Sequence, residues 1–144
     1  MAHVLVIGAS RGIGRETVKA ALAAGHRVRA LSRSADQLGL SHFNLETQRG
    51  NALNRADIST ALEGIEVVIQ ALGVPARDLM APVSLFSNAT RILVSEMESR
   101  GVRRLISVTG FGAGTSQTAI NCLQRVPFRL FLPAPTTTRA FRSA

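Results

Sequence analysis

The stretch Val4-Leu5-Val6-Ile7-Gly8-Ala9-Ser10-Arg11-Gly12-Ile13-Gly14 constrains this chain more than any other. A short apolar run ends in Gly8, two more glycines follow, and a helical pattern begins at once. Gly8 lets a strand turn sharply. Gly12 lets backbone approach a phosphate with no Cβ in between, and Gly14 lets the helix lie close on the sheet. The amides at the helix N-terminus then favour negative charge. The pattern predicts a strand–loop–helix unit that cradles a pyrophosphate, with Gly8, Ser10, Arg11, Gly12, Ile13 and Gly14 as its binding residues.

A matching second strand follows at His26-Arg27-Val28-Arg29-Ala30-Leu31. Between the two strands, Arg15 to Ala24 carries Val18, Ala21 and Leu22 at helical spacing, with Gly25 as the C-terminal stop. Strand, helix and strand within about 30 residues is the size of a dinucleotide-binding βαβ unit. A unit that prefers NAD usually carries Asp or Glu near the end of its second strand, for the ribose hydroxyls. Here that place reads Ser32-Arg33-Ser34. No acid would repel a 2′-phosphate there, and Arg33 offers a forked, charge-assisted contact, with Arg11 as a second candidate. The expected cofactor is therefore NADP(H).

The rest of the chain alternates in the same way. Ala35 to Leu40 reads as a short helical turn and His42 to Gln48 as an extended stretch. Arg49 to Leu53 turns into a helix over Arg55–Leu62, with Asn54 as N-cap and Gly64 as its stop. Val67 to Leu72 reads as a buried strand ending at Gly73, followed by a loop with Pro75 and Pro82. Ser84 to Arg100 is the longest helical pattern, with Leu85, Ala89, Ile92, Leu93, Glu96 and Met97 on one face and Gly101 at its end. Arg104 to Thr109 is a fifth strand. This alternation predicts a doubly wound parallel α/β sheet in three layers, strand order 3-2-1-4-5. Ligand should lie along the carboxyl ends of the strands. Asn51 and Ala52 would border the adenine, Ala71, Leu72 and Gly73 would leave room for adenine and ribose, and Thr109 would lie near the nicotinamide. For Asn51 and Thr109, turn capping and strand-end hydrogen bonding are equally good explanations.

At 144 residues the chain is long enough for one domain with a real core. No apolar run approaches the ~20 residues of a membrane span, and a strand at Val4 leaves no room for a signal peptide. The lone Cys122, with no histidine after His42, reads as a small buried hydrophobe and fits a reducing cytoplasm. The net charge of +8 is unevenly placed: residues 1–98 carry ten basic and nine acidic groups, whereas residues 99–144 carry seven arginines and no acid. Those arginines are scattered and form neither a basic helix nor an aromatic-studded platform. This argues against nucleic acid as a partner.

GASRGIG, Ser32-Arg33, Gly50-Asn51-Ala52-Leu53, Ala71-Leu72-Gly73 and Gly101-Val102-Arg103-Arg104-Leu105-Ile106-Ser107-Val108-Thr109 together resemble the atypical short-chain dehydrogenase/reductases. Within these the chain is most similar to the NmrA-like and NAD(P)H-binding (biliverdin reductase B-like) branch, over residues 3–131. The resemblance implies a Rossmann-like fold and NADP(H). It also implies either reduction of flavins, quinones or related conjugated acceptors, or redox sensing without chemistry. The chain departs from the branch in three ways. Its glycine spacing is closer to that of the commoner short-chain dehydrogenases. Asn51 stands where the family typically has Asp. The usual Tyr-x-x-x-Lys pair is missing, since the chain has no tyrosine and Lys19 lies in the first helix. A tyrosinate mechanism is thereby excluded for this chain. The family's active-site serine falls at Thr109 or at Gly110.

After Phe131 the composition changes, to Leu132-Pro133-Ala134-Pro135-Thr136-Thr137-Thr138-Arg139-Ala140. A natural irregular basic tail over 132–144 and a frame-shifted coding sequence both account for it. The resemblance implies that relatives continue further, with a sixth strand and a substrate-side lobe. The fifth strand is then expected to be an apolar edge that forms a homodimer or is covered by Phe128–Leu132. The function expected is NADP(H)-dependent hydride transfer to a small conjugated acceptor, flavin or quinone. The alternatives are a non-catalytic NADP(H)-binding redox sensor and a truncated inactive domain.

Overall fold

Alternation along the strands decides the layering. In β1 (His3–Ile7), Val4 and Val6 face one side of the sheet, and Leu5 and Ile7 the other. In β2 (Arg27–Ser32), Val28 and Ala30 join the first side and Leu31 the second. A strand apolar on both faces needs cover on both, the condition of a parallel sheet between helices. A computed structural model describes residues 1–73 and 84–108. Five strands lie in one sheet in the order β3-β2-β1-β4-β5, all parallel, where β3 is Leu45–Arg49, β4 Val67–Gln70 and β5 Arg104–Ser107. This is the expected doubly wound, Rossmann-like α/β fold.

Helix α1 (Gly12–Ala23) covers one face, burying Val18 over Val4, Val6, Val28 and Ala30, beside Leu38 from the 3-10 turn Ala35–Leu38. Helices α2 (Arg55–Ala61) and α3 (Ser84–Ser99) cover the other. There Ile58, Leu62, Leu93 and Met97 pack on Leu5, Ile7, Leu31 and Val68. Each fully buried aliphatic side chain contributes roughly 1.5–3 kcal/mol.

The helix ends follow their residues. Asn54 Oδ1 accepts from the backbone N–H of Ala56 at 2.9 Å, as an N-cap should. After α1, Gly25 N–H donates to Leu22 O and His26 N–H to Ala21 O. After α3, Gly101 N–H donates to Glu98 O and Val102 N–H to Met97 O. Both are Schellman closures.

Several boundaries differ from the sequence reading. Helix α1 starts at Gly12 rather than Arg15, because the loop glycines already supply its first turn despite their poor helix propensity. Strand β3 starts at Leu45 rather than His42, because His42 O accepts from Leu45 N–H and closes a turn. Strand β4 ends at Gln70 and β5 at Ser107. Thr109, Gly110, Cys122, Phe128–Leu132 and the expected boundary at residue 131 lie outside the described residues. Among the described residues no helix is long and apolar enough to cross a membrane. Strand β5 ends the sheet there, with Ile106 55% exposed.

Two polar ties lock the layers. Gln70, fully buried at the end of β4, donates through Nε2 to Thr90 Oγ1 of α3 at 3.0 Å, and the Thr90 hydroxyl donates to Phe86 O at 2.8 Å. Arg29 pairs with Glu46 of β3 at 2.9 Å and donates to Ala61 O and Glu63 O at the C-terminus of α2, at 2.9 and 2.8 Å. One guanidinium thus joins two strands and satisfies orphan helix carbonyls. Burial pushes the Glu46 carboxyl up, but hydrogen bonds from Arg27 and Arg29 outweigh it and hold it below the ordinary glutamate value. Its contribution is present above the unfolded-state pKa and lost as pH falls through the lowered one. In urea unfolding, Arg29→Ala is expected to cost about 1–3 kcal/mol at neutral pH. The smaller gap between wild type and Glu46→Gln should close as the pH drops below about 4.

Candidate functional site

The register brings the strand ends level. Ile7 pairs with Leu31 and Gln70, and Gln70 with Ser107, so β1, β2, β4 and β5 finish on one line. The chain turns away from β1 at Gly8, whose N–H donates to Leu31 O at 3.0 Å. Gly8 has φ +85°, and a Cβ there would lie 2.6 Å from Ala71 O. No side chain fits between β1 and the residues leaving β4. A Cβ on Gly14 would lie 2.1 Å from Gly8 O, so the first turn of α1 rests directly on the loop backbone. These are the roles expected of the two residues.

Gly12 is different. It has φ +56°, and a Cβ there would meet nothing within 4 Å. Among the described residues, the space beside Gly12 is open. Arg11 is the N-cap residue of α1 in an extended conformation and makes no side-chain cap hydrogen bond; no acid lies in the first turn. The helix therefore presents orphan N–H groups and an uncancelled positive dipole end. Ser10 is half-buried beside the loop, and Ile13 is 62% exposed at its rim. The cradle fits a pyrophosphate.

A second concavity, about 360 Å³, opens past β2 and β3, lined by Arg33, Arg49, Gly50, Asn51 and Asp57. Asn51 N–H donates to Asp57 Oδ2 at 2.8 Å, and Asn51 Oδ1 accepts from Leu53 N–H at 3.1 Å. The Asn51 side-chain carbonyl thus closes a turn, and the residue also lines the cleft. Ala52 and Leu72 are half-buried and pack on the core beneath α2 and α3. Ala71 N–H donates to Ile7 O at 2.8 Å, and Gly73 faces open space. The structure thus brings Gly8, Gly14, Ala71 and Leu72 together around the loop, and Arg33 with Asn51 in the cleft. It does not bring Arg11 into that cleft. Thr109 is outside the described residues. Arg49 and Asp57 were missed by the sequence reading; the signal for Arg49 was its place directly before Gly50-Asn51. Among the described residues, no group of three His, Cys, Asp or Glu side chains could hold a metal ion.

A glycine cradle on a helix N-terminus, with a cleft beyond the next two strands of a parallel sheet, defines a dinucleotide-binding domain. The chain belongs to the NAD(P)H-binding family, whose model matches residues 8–136. It is 36% identical over 113 residues to sterol demethylase protein B of Methylococcus capsulatus, covering 76% of this chain and 34% of that protein. It is similar to the structure of ChuY, an anaerobillin reductase from Escherichia coli O157:H7. That match has 26% identity and a TM-score of 0.65, over 91% of this chain and 62% of that one. The oxidoreductase ylbE of Lactococcus lactis shares the fold, with a TM-score of 0.71 at 15% identity over 90% of this chain and 57% of that one. The chain spans about a third of the first relative's length and under two thirds of the two solved structures.

The two loop glycines should separate stability from binding. Gly14→Ala forces a Cβ onto a backbone oxygen and should cost several kcal/mol, on the scale of overpacked cores or more. Gly12→Ala meets only its positive φ, a cost of roughly 1–2 kcal/mol. Urea unfolding should rank Gly14→Ala well below Gly12→Ala, while Gly12→Ala should show the larger loss of dinucleotide affinity per unit of stability lost.

Proposed function

We propose that this chain is an NADP(H)-dependent oxidoreductase of the flavin- or quinone-reductase type. The observation that carries the reading is the end of β2, where Ser32-Arg33 stands in place of an acid and Arg33 lines the cleft beyond the strand. Membership of the NAD(P)H-binding family and the likeness to a reductase support the oxidoreductase class.

The dinucleotide, when bound, supplies a hydride to a conjugated acceptor. The chain's own residues bind and orient. Gly8, Ser10, Arg11, Gly12, Ile13 and Gly14 would hold the pyrophosphate on the amides of α1. Arg33 would take the 2′-phosphate. Asn51 and Ala52 would border the adenine, and Ala71, Leu72 and Gly73 would leave room for the adenine and ribose. On this reading Thr109 would orient the nicotinamide carboxamide or the acceptor rather than act as a base. Stacking of two flat rings depends on placement, which can supply much of a barrier by itself. Water supplies the proton.

Melting temperature with saturating NADP+, with NAD+ and with neither tests the cofactor. At ~100 times its Kd a ligand adds roughly 2.7 kcal/mol, several degrees for a domain of this size. NADP+ is expected to give the larger shift. NADPH oxidation is then followed with riboflavin and a quinone as acceptors. Turnover with riboflavin or the quinone is the expected outcome. Binding without turnover would favour a redox sensor, and no shift with either dinucleotide would end the reading.

A further inference from the structure

We propose that Arg49 and Arg33 form a two-arginine clamp for a phosphate monoester, and that Arg49 sets the preference for a dinucleotide phosphorylated at the adenosine ribose. The inference rests on the cofactor reading above and deepens it.

The strand register places the two arginines side by side. Ser32 pairs with Arg49 across β2 and β3, and Gly50 N–H donates to Ser32 O at 3.0 Å. Arg33 therefore leaves β2 where Arg49 ends β3, and both line the same cleft. The support beneath them is tight. A Cβ on Gly50 would lie 2.8 Å from Leu31 Cδ1 and 3.2 Å from Asp57 Cβ, so the backbone after Arg49 sits against the core without slack.

The arginines of the cleft differ from those that hold the elements together. Arg27 and Arg29 share Glu46, Arg55 holds Glu96, and Arg15 donates to Leu38 O. Among the described residues neither Arg33 nor Arg49 takes part in an ion pair or a side-chain hydrogen bond. The one carboxylate lining the cleft, Asp57, already accepts the Asn51 N–H at 2.8 Å. Residue 51 adds no charge. Two guanidinium groups and one carboxylate line the cleft, a net positive charge that favours an anion between the arginines. A phosphate monoester brings close to two negative charges and three acceptor oxygens at neutral pH. Guanidinium forks match those oxygens in geometry as well as in charge. The cleft's 360 Å³ falls within the ~300–1,000 Å³ usual for small-molecule sites.

Isothermal titration of the full chain tests this with four probes: NADP+, NAD+, adenosine 2′,5′-bisphosphate and inorganic phosphate. Arg49→Gln is expected to weaken NADP+ and the bisphosphate about tenfold, the scale of one charge-assisted contact. NAD+ should change less than twofold. Arg49→Lys should restore part of the loss, since it keeps the charge without the fork. Both variants change an exposed side chain, and their melting curves serve as the folding control. Equal losses for NADP+ and NAD+, or no loss for either, would overturn the clamp. If Arg33→Gln alone lowers NADP+ affinity, the cofactor reading stands and the clamp falls. Wild type that binds NAD+ more tightly than NADP+ overturns both. Inorganic phosphate binding as tightly as the bisphosphate would make the cleft a free-phosphate site and also overturn the proposal.

Discussion

The contact between Gly14 and the carbonyl of Gly8 determines where everything else at the carboxyl edge of the sheet can lie. With no Cβ in the way, α1 begins hard against the end of β1, and its axis is aimed along the sheet from its first turn. The same loop fits between β2 and the residues leaving β4, because Gly8 also lacks a Cβ that would strike Ala71 O. Three chain segments therefore meet within one residue's width. Among the described residues, what lies over them is backbone N–H and open space, the chemistry a bridging diphosphate needs.

Much of this was legible in the chain because it rests on backbone constraints that leave residue-type signatures. Gly8 and Gly14 at their close backbone approaches, the Asn54 cap, and Gly25 and Gly101 at helix ends each mark a geometry few other residues allow, and all are found in those places. The strand order followed from alternation and parallel pairing. Strand limits were less legible: His42 to Asn44 has a strand's composition, yet a turn hydrogen bond claims it first. Arg49 and Asp57 went unread because their significance depends on register. Nothing local marks residue 49 as a neighbour of residue 33. Only the pairing of β2 with β3 brings them together.

The arginines divide into two populations by the same logic. Those on the middle of β2 and the start of α2 are partnered and hold elements together. Arg29 is the clearest case, a charged side chain only 16% exposed and tolerated because carboxylate and carbonyl oxygens surround it. Arg33 and Arg49, at the carboxyl ends of β2 and β3, have no such duties among the described residues. A guanidinium's charge is the same in both places, and its neighbours decide whether it is mortar or a binding group.

The tie between fully buried Gln70 and half-buried Thr90 has a consequence for how this sequence can drift. The Gln70 amide is fully buried and donates to the Thr90 hydroxyl, which in turn donates to Phe86 O, so loss of the hydroxyl strands the amide while loss of the amide leaves Thr90 a partner. An apolar substitution at both positions removes the demand altogether. Substitution here should therefore start at Gln70, and a Gln facing an apolar residue at position 90 should be rare in related chains. Strand β4 is held to α3 by a bond whose buried half cannot be left alone.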